Sequence, residues 1–521
     1  MENRPRILQS LAVHWPAILI LLALTGLLSF FYLSNQDSGE VWSLSYLPLD
    51  DNWIHLVYAR SLAQDGWFFY NPGVAEAGMS SPLWVILLAL VMKLGGGPVF
   101  ASKFLSILFG VAFAFMVYLL AQSFKLPRWV AIVAAALTLL EPNMSYSMVS
   151  GMEVTLTGFT LAAALWAANE RRYLSTGIFI GLMVISRGEL ALVGILLGLV
   201  LLLELYLKRE SMELVTTEEV LMGLKVYGPA LLMGGSWAIY NYLINGHFLP
   251  NTYYVKHYYG LGFLNLENLV AIWKGFFQPT SMMGGFLGII CLVLWVLGVI
   301  YLGRKKNYIA ILTAVIPLVI VYSLSINLKL SPAPWNFFAR RYLDFLLPLI
   351  ALMVVSGFLW LWEKVQDLKR KEIRLLFALL LVGTTGYYLV QALPRTMELA
   401  NEYSWNCRNI TEVDVAMGAV INDQLPGDAV IAVTDAGAMR YFGNRVTIDL
   451  LGLNNHQNIG LRLEDILARD KPDYVALFRN PIFDEWAYLE EMWSLSAERN
   501  TILGGAELVL YKVDRAALPV Q

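Results

Sequence analysis

Asp50 and Asp51 stand side by side, followed by Trp53, His55 and the triplet Tyr58-Ala59-Arg60. Adjacent carboxylates repel one another as charges, which raises the pKa of one while the other stays ionised, so the pair offers a general base or half of a metal site. An acidic cap ahead of an amphipathic helix accounts for the same two residues. Glu153 follows in Ser150-Gly151-Met152-Glu153, where a carboxylate near a helix start also suits the helix dipole. Arg187 and Glu189 break an apolar stretch as Ser186-Arg187-Gly188-Glu189; charges at that depth are costly and turn to a cavity or to each other. The run from Asn245 to His257 carries Asn251, Tyr253, Lys256 and His257 after two turn signals, Asn-Gly and Pro-Asn. Its aromatic residues also fit an interfacial belt, whereas Lys256 can meet a lipid phosphate. Arg340-Arg341 is either a snorkelling anchor or an anion clamp, since a guanidinium fork fits phosphate oxygens bidentately.

Other chemistries lack their residues. There is no Walker-type phosphate loop, Rossmann glycine pattern, zinc-binding His pair on a helix or nucleophile elbow. Two cysteines, Cys291 and Cys407, support neither a disulfide framework nor a thiolate site. The five histidines (His14, His55, His247, His257, His456) do not fall at metal-ligand spacing. A net charge of -3 with scattered basic residues gives no reason to expect nucleic acid as a partner.

The elements that must position these residues are membrane helices. The chain is 58% hydrophobic and 15% charged, well away from the roughly 25% charged residues of soluble domains. Its apolar residues come in runs of roughly 18 to 22, enough to cross about 30 Å of hydrocarbon. Basic residues flank alternate ends of these runs, and the positive-inside bias then gives about eleven spans with a cytoplasmic N-terminus. An inner amphipathic stretch, Met212 to Lys225, interrupts them, and the ninth span leads out to Trp335. Residues 35–97 form a first outer loop whose Ser81-Pro82-Leu83-Trp84 opens a short re-entrant or interfacial helix. An odd count puts the tail outside with Asp50, Glu153, Lys256 and Arg341. The expected fold is a polytopic α-helical membrane region over 1–393 and a soluble α/β domain over 394–521. Strands are expected at Ala429–Val433, Val446–Ile448, Tyr474–Phe478 and Leu508–Tyr511, with helical patterns at Val413–Leu425 and Leu463–Ala468.

In this order the motifs resemble the GT-C superfamily of membrane glycosyltransferases, and within it the mycobacterial terminal arabinofuranosyltransferases and their bacterial relatives. The likeness rests on Asp50-Asp51, Tyr58-Ala59-Arg60, Asn71-Pro72-Gly73, Glu76-Ala77-Gly78, Ser81-Pro82-Leu83-Trp84, Gly151-Met152-Glu153, Pro250 to Lys256 and Ala339-Arg340-Arg341-Tyr342. Two positions depart from that pattern: Ser186-Arg187-Gly188-Glu189 stands where Thr-Arg-Pro-Glu is usual, and Val154 where Thr is frequent. The resemblance implies transfer of a sugar from a polyprenyl-phosphate donor to a glycan, lipid or protein acceptor, in a bacterial inner membrane, with inversion. Asp50, or else Asp51, would be the base, and Lys256, Arg187, Arg340 and Arg341 would hold the leaving phosphate. Arg60, Glu153, Glu189, Asn251, Tyr253, His257 and Trp84 would orient sugar or acceptor. No cofactor is required, and a divalent metal is optional. A lipid-linked substrate flippase and a non-catalytic envelope assembly protein are the competing classes.

Overall fold

The computed structural model describes residues 6–208, 216–256, 266–267, 269–270, 272, 285–327, 337–367 and 370–519. Among the described residues, six helices are long and apolar enough to cross a membrane: His14–Leu33, Pro98–Ser123, Gly188–Leu207, Leu287–Arg304, Tyr308–Ser325 and Asp344–Gln366. The chain is a multi-pass membrane protein. The bent pair Pro142–Val149 and Val154–Asn169, folded by 112° at its break, makes a seventh span if it is counted as one. This is fewer than the expected eleven. Arg128–Leu140 and Tyr173–Ser186 have 13 and 14 residues and reach only about 20 Å at 1.5 Å per residue, short of the hydrocarbon thickness. The 29-residue helix Thr217–Asn245 is diluted by Glu218, Glu219, Pro229 and a run of Gly, Ser, Tyr and Asn.

Close packing between spans is set by small residues. Gly298 and Gly357 face each other where Leu287–Arg304 crosses Asp344–Gln366. A Cβ at Gly357 would lie 1.8 Å from the Leu294 carbonyl oxygen, so the two backbones touch directly, as small residues permit in lipid.

Beyond the spans, the helix Lys371–Asn409 runs unbroken through Pro394, so the compositional change expected there falls inside one helix. A short hairpin, β1 (Phe69–Asn71) and β2 (Val74–Ala75), lies in the first outer loop. The C-terminal region builds one mixed sheet from β3 (Val430–Val433), β4 (Val446–Asp449), β5 (Tyr474–Phe478), β6 (Leu489–Ser496) and β7 (Glu507–Val513), in the order β4-β3-β5-β7-β6. β3 runs parallel to β4 and β5, with helices Ala438–Gly443 and Leu463–Asp470 in the connections; β7 is antiparallel to β5 and β6. Four of the five strands match the expected apolar runs. β6 does not, because it is an edge strand with most of its residues exposed.

This sheet region does not stand apart from the first outer loop. Trp53, Tyr58 and Trp84 share one buried cluster with Ile410, Met417, Val433 and Met439. The helix Asp50–Asp65 is the common wall: its N-terminal turn faces Arg341 and Lys256 and its length packs on the C-terminal region.

Candidate functional site

Leu49 is extended, and the helix Asp50–Asp65 begins at Asp50 with both aspartates in its first turn. Successive residues on a helix diverge by about 100°, so the two carboxylates have separate surroundings. Asp50 turns to the C-terminal region. Its oxygens accept the backbone N–H groups of Gly437 at 2.8 Å and Ala438 at 2.6 Å, at the start of the helix Ala438–Gly443. Burial pushes its carboxyl up to about 7; the Ala438 amide opposes the shift and the Asp51 charge adds to it.

Asp51 turns to cations. The Arg341 guanidinium donates to it, and Lys256 Nζ lies 3.8 Å away. Burial would raise its carboxyl, but Arg341 and Lys256 hold it well below the usual carboxylate range. Lys256 also donates to the Tyr342 hydroxyl at 2.9 Å. Arg187 stacks on the Tyr342 ring at 4.5 Å, donates to the Arg341 carbonyl at 3.1 Å and pairs with Glu189 at 2.9 Å, with Glu153 at 4.0 Å. Lys256, Arg187, Glu189, Tyr253 and Tyr342 line a cavity of about 260 Å³ whose remaining wall is largely apolar, including Leu249, Pro250 and Leu324. A charged floor beneath an apolar wall can seat a phosphate carrying a hydrocarbon chain.

Seven of the anticipated residues are therefore brought together at or beside this cavity: Asp51, Lys256, Arg187, Arg341, Glu153, Glu189 and Tyr253. Others are placed elsewhere. Arg340 is buried in a second polar cluster, donating to Asn143 at 2.5 Å with its guanidinium 4.6 Å from the Tyr146 ring. Asn251 is a latch: its side chain donates to Glu76 and to the Leu453 carbonyl, both at 3.2 Å, and its amide to the Ala77 carbonyl at 3.0 Å. Trp84 is fully buried, and Trp53 packs on Phe442 at 4.7 Å, so neither ring is free to flank a sugar. Arg60 lies at the far end of the Asp50–Asp65 helix, donating to the Tyr441 carbonyl at 2.8 Å. His257, Trp335 and the first part of the Met212–Lys225 stretch lie outside the described residues.

The structure adds four residues to the site. Tyr342 has Arg187, Lys256 and Arg341 around its ring, and its place in the Ala339-Arg340-Arg341-Tyr342 motif was the signal for it. Gly437 and Ala438 hold Asp50. Asp435, two residues earlier, is pushed well above the usual carboxylate range by burial and by the charges of Asp50 and Asp51. Among the described residues, no group of three or more His, Cys, Asp or Glu side chains is arranged to hold a metal ion.

A family model described as dolichyl-phosphate-mannose-protein mannosyltransferase matches residues 80–226, and one described as a domain of unknown function (DUF8728) matches residues 403–511. No curated protein matches the chain by sequence. Among solved structures, ArnT from Cupriavidus metallidurans in the apo state superposes with a TM-score of 0.58 at 13% identity, over 98% of this chain and 100% of that one. The same protein bound to undecaprenyl phosphate gives 0.56 at 13% identity, over 97% and 99%. The arabinofuranosyltransferase AftD from Mycobacteria gives 0.52 at 13% identity, over 95% of this chain and 40% of that much longer one. The fold is shared with ArnT along essentially the whole chain.

Proposed function

We propose that the protein transfers a sugar from a polyprenyl-phosphate donor to an acceptor hydroxyl on the extracytoplasmic face of a bacterial inner membrane. The observation that carries this reading is the convergence of Arg341, Lys256 and Arg187 around Asp51 and Tyr342 at a cavity with an apolar wall. That arrangement suits a lipid-borne phosphate, and the undecaprenyl-phosphate complex of the similarly folded ArnT agrees with it.

The two aspartates divide the work according to their surroundings, as paired carboxylates do when their environments push their pKa values apart. Asp50, near neutrality in its pKa and oriented by two amides, is matched to accept the acceptor's hydroxyl proton. The freed oxygen attacks the anomeric carbon as the bond from that carbon to the phosphate oxygen breaks, with inversion. Polyprenyl phosphate leaves with the bonding pair. Lys256, Arg187 and Arg341 take up its charge, and Asp51 keeps Arg341 and Lys256 oriented before the donor arrives. Glu189 and Glu153 hold Arg187 in the same way. These cations suffice for a phosphate leaving group, so a metal is optional for this step.

The test is transfer by the purified protein from a panel of radiolabelled polyprenyl-phosphate pentoses and hexoses, beside Asp50→Asn. Transfer from one donor, lost in the variant, supports the assignment and names the sugar. Full transfer by Asp50→Asn would remove Asp50 as the base, and no transfer from any donor with lipid binding intact would overturn the enzyme class.

A further inference from the structure

A second cavity, of about 360 Å³, opens on the opposite end of the Asp50–Asp65 helix, between that helix, the β1 strand and the helix Ala438–Gly443. Its walls carry two arginines, Arg60 from the first outer loop and Arg440 from the C-terminal region. Arg440 is 6% exposed and is fixed by one bond, Nε to the Tyr70 carbonyl at 2.9 Å. Arg60 is fixed by its bond to the Tyr441 carbonyl and by stacking on the Tyr441 ring at 4.2 Å. Both anchors are neutral. Among the described residues, neither guanidinium makes an ion pair with a carboxylate; Asp65, exposed at the rim, is near Arg60 without pairing to it. Burial and the charge of Arg60 both act against the protonated form of Arg440. Two like charges on one cavity, Arg440 nearly buried and Arg60 half-buried, with only the exposed Asp65 carboxylate nearby, favour an anion that completes the site.

We infer that Arg60 and Arg440 form an anion-binding subsite that holds an acidic group, carboxylate or phosphate, of the acceptor glycan. The rim favours a glycan: Gln64 and Asn444 present exposed neutral amides for sugar hydroxyls. Arg60 is nine positions from Asp51 on one helix, about 14 Å along its axis, a separation that an oligosaccharide bridges while its terminal hydroxyl reaches Asp50. The site needs both the first outer loop and the C-terminal region, which gives the latter a part in acceptor choice. Only the word acceptor rests on the transferase reading; anion binding does not.

The full chain in detergent is titrated calorimetrically with three oligosaccharides of equal length: one bearing a uronic acid, one bearing a phosphate monoester and one neutral. At least one acidic probe is expected to bind tenfold or more tightly than the neutral one, with affinity falling as salt rises. Arg60→Gln is expected to lose that preference by tenfold or more and Arg60→Lys to keep part of it. Arg440→Lys tests the second arginine without removing its charge, and each variant is checked for an unchanged melting temperature. Equal binding of neutral and acidic probes, no binding of either acidic probe, or an unaffected Arg60→Gln would each overturn the site. Acidic binding without any sugar transfer would leave the site standing and sink the transferase reading; transfer with no acidic preference would do the reverse.

Discussion

Asp50 and Gly437 meet across 387 positions of chain, the carboxylate accepting the glycine's N–H at 2.8 Å. The contact leaves no room for a side chain, since a Cβ at Gly437 would lie 2.2 Å from the Asp50 carbonyl oxygen and under 3 Å from both carboxylate oxygens. Gly437→Ala must therefore displace the amides from Asp50. A hydrogen bond to a charged group contributes about 1.5–3 kcal/mol, so the loss is expected to slow transfer at least tenfold while donor KM changes little. Steady-state kinetics of Gly437→Ala, beside the neighbouring Ala436→Gly, checks it; unchanged kcat would separate the C-terminal region from catalysis.

The pH dependence follows from the same contact. Asp50 must be ionised to take a proton, and burial has moved its carboxyl up to about 7. Activity is expected to rise through about pH 7 and level off above it. Stability moves the other way. Between the unfolded value near 3.8 and the folded value near 7 the folded chain holds the extra proton, so this group's contribution is full below 3.8 and is lost as pH rises through 7. A log kcat/KM profile that is flat across neutrality, in a chain that remains folded, would contradict the assignment.

Asp51 and Arg341 form a nearly buried ion pair, the arginine 3% and the aspartate 22% exposed in their side chains. Removing one member of such a pair leaves a charge without its partner, at about 3–5 kcal/mol for a fully buried pair, with less expected here because Lys256 still faces Asp51. Arg341→Gln and Asp51→Asn should each destabilise, and the double variant should destabilise by less than their sum. Thermal melts of the four proteins in one detergent close the cycle. Strict additivity would mean that the two side chains do not depend on one another.

The sidedness of the membrane can be read chemically. Both native cysteines, Cys291 and Cys407, are buried, while Asp428 is exposed in the C-terminal region. Asp428→Cys is expected to react with a membrane-impermeant maleimide in cells whose outer barrier has been opened and whose inner membrane is intact. Protection until that membrane is lysed would invert the topology.

Much of this fold is legible in the residues, and the reasons for the gaps are local. Unbroken apolar runs mark the strands that pack on both faces, as at Ile431 and Val475, whereas Leu489–Ser496 buries too little to leave a pattern. The helix Ala438–Gly443 is too short to show a period, so the partners of Asp50 could not be found. The span count differs because apolar runs such as Arg128–Leu140, at 13 residues, are shorter than the hydrocarbon thickness needs. Residue types were readable at Asp50, Asp51, Lys256 and Arg187; which way each pointed depended on contacts hundreds of positions away.

Arg340 and Arg341 are the sharpest case of that dependence. They are neighbours at the end of the short helix Phe337–Arg340, and adjacent side chains there diverge by about 100°. Arg341 reaches Asp51 and the phosphate-sized cavity's cations, while Arg340 reaches Asn143 and, at 4.0 Å, Glu402. Conservative loss of each should therefore separate binding from folding. Arg341→Lys keeps the charge but not the fork, and is expected to raise the KM for the lipid donor about tenfold, equivalent to roughly 1.4 kcal/mol. Arg340→Lys loses its fit to Asn143 and is expected to lower the melting temperature with donor KM within about twofold. Donor titrations and melts of both variants decide it. A rise in KM from Arg340→Lys comparable to that from Arg341→Lys would return Arg340 to the phosphate site and mean that its buried cluster rearranges when the donor binds.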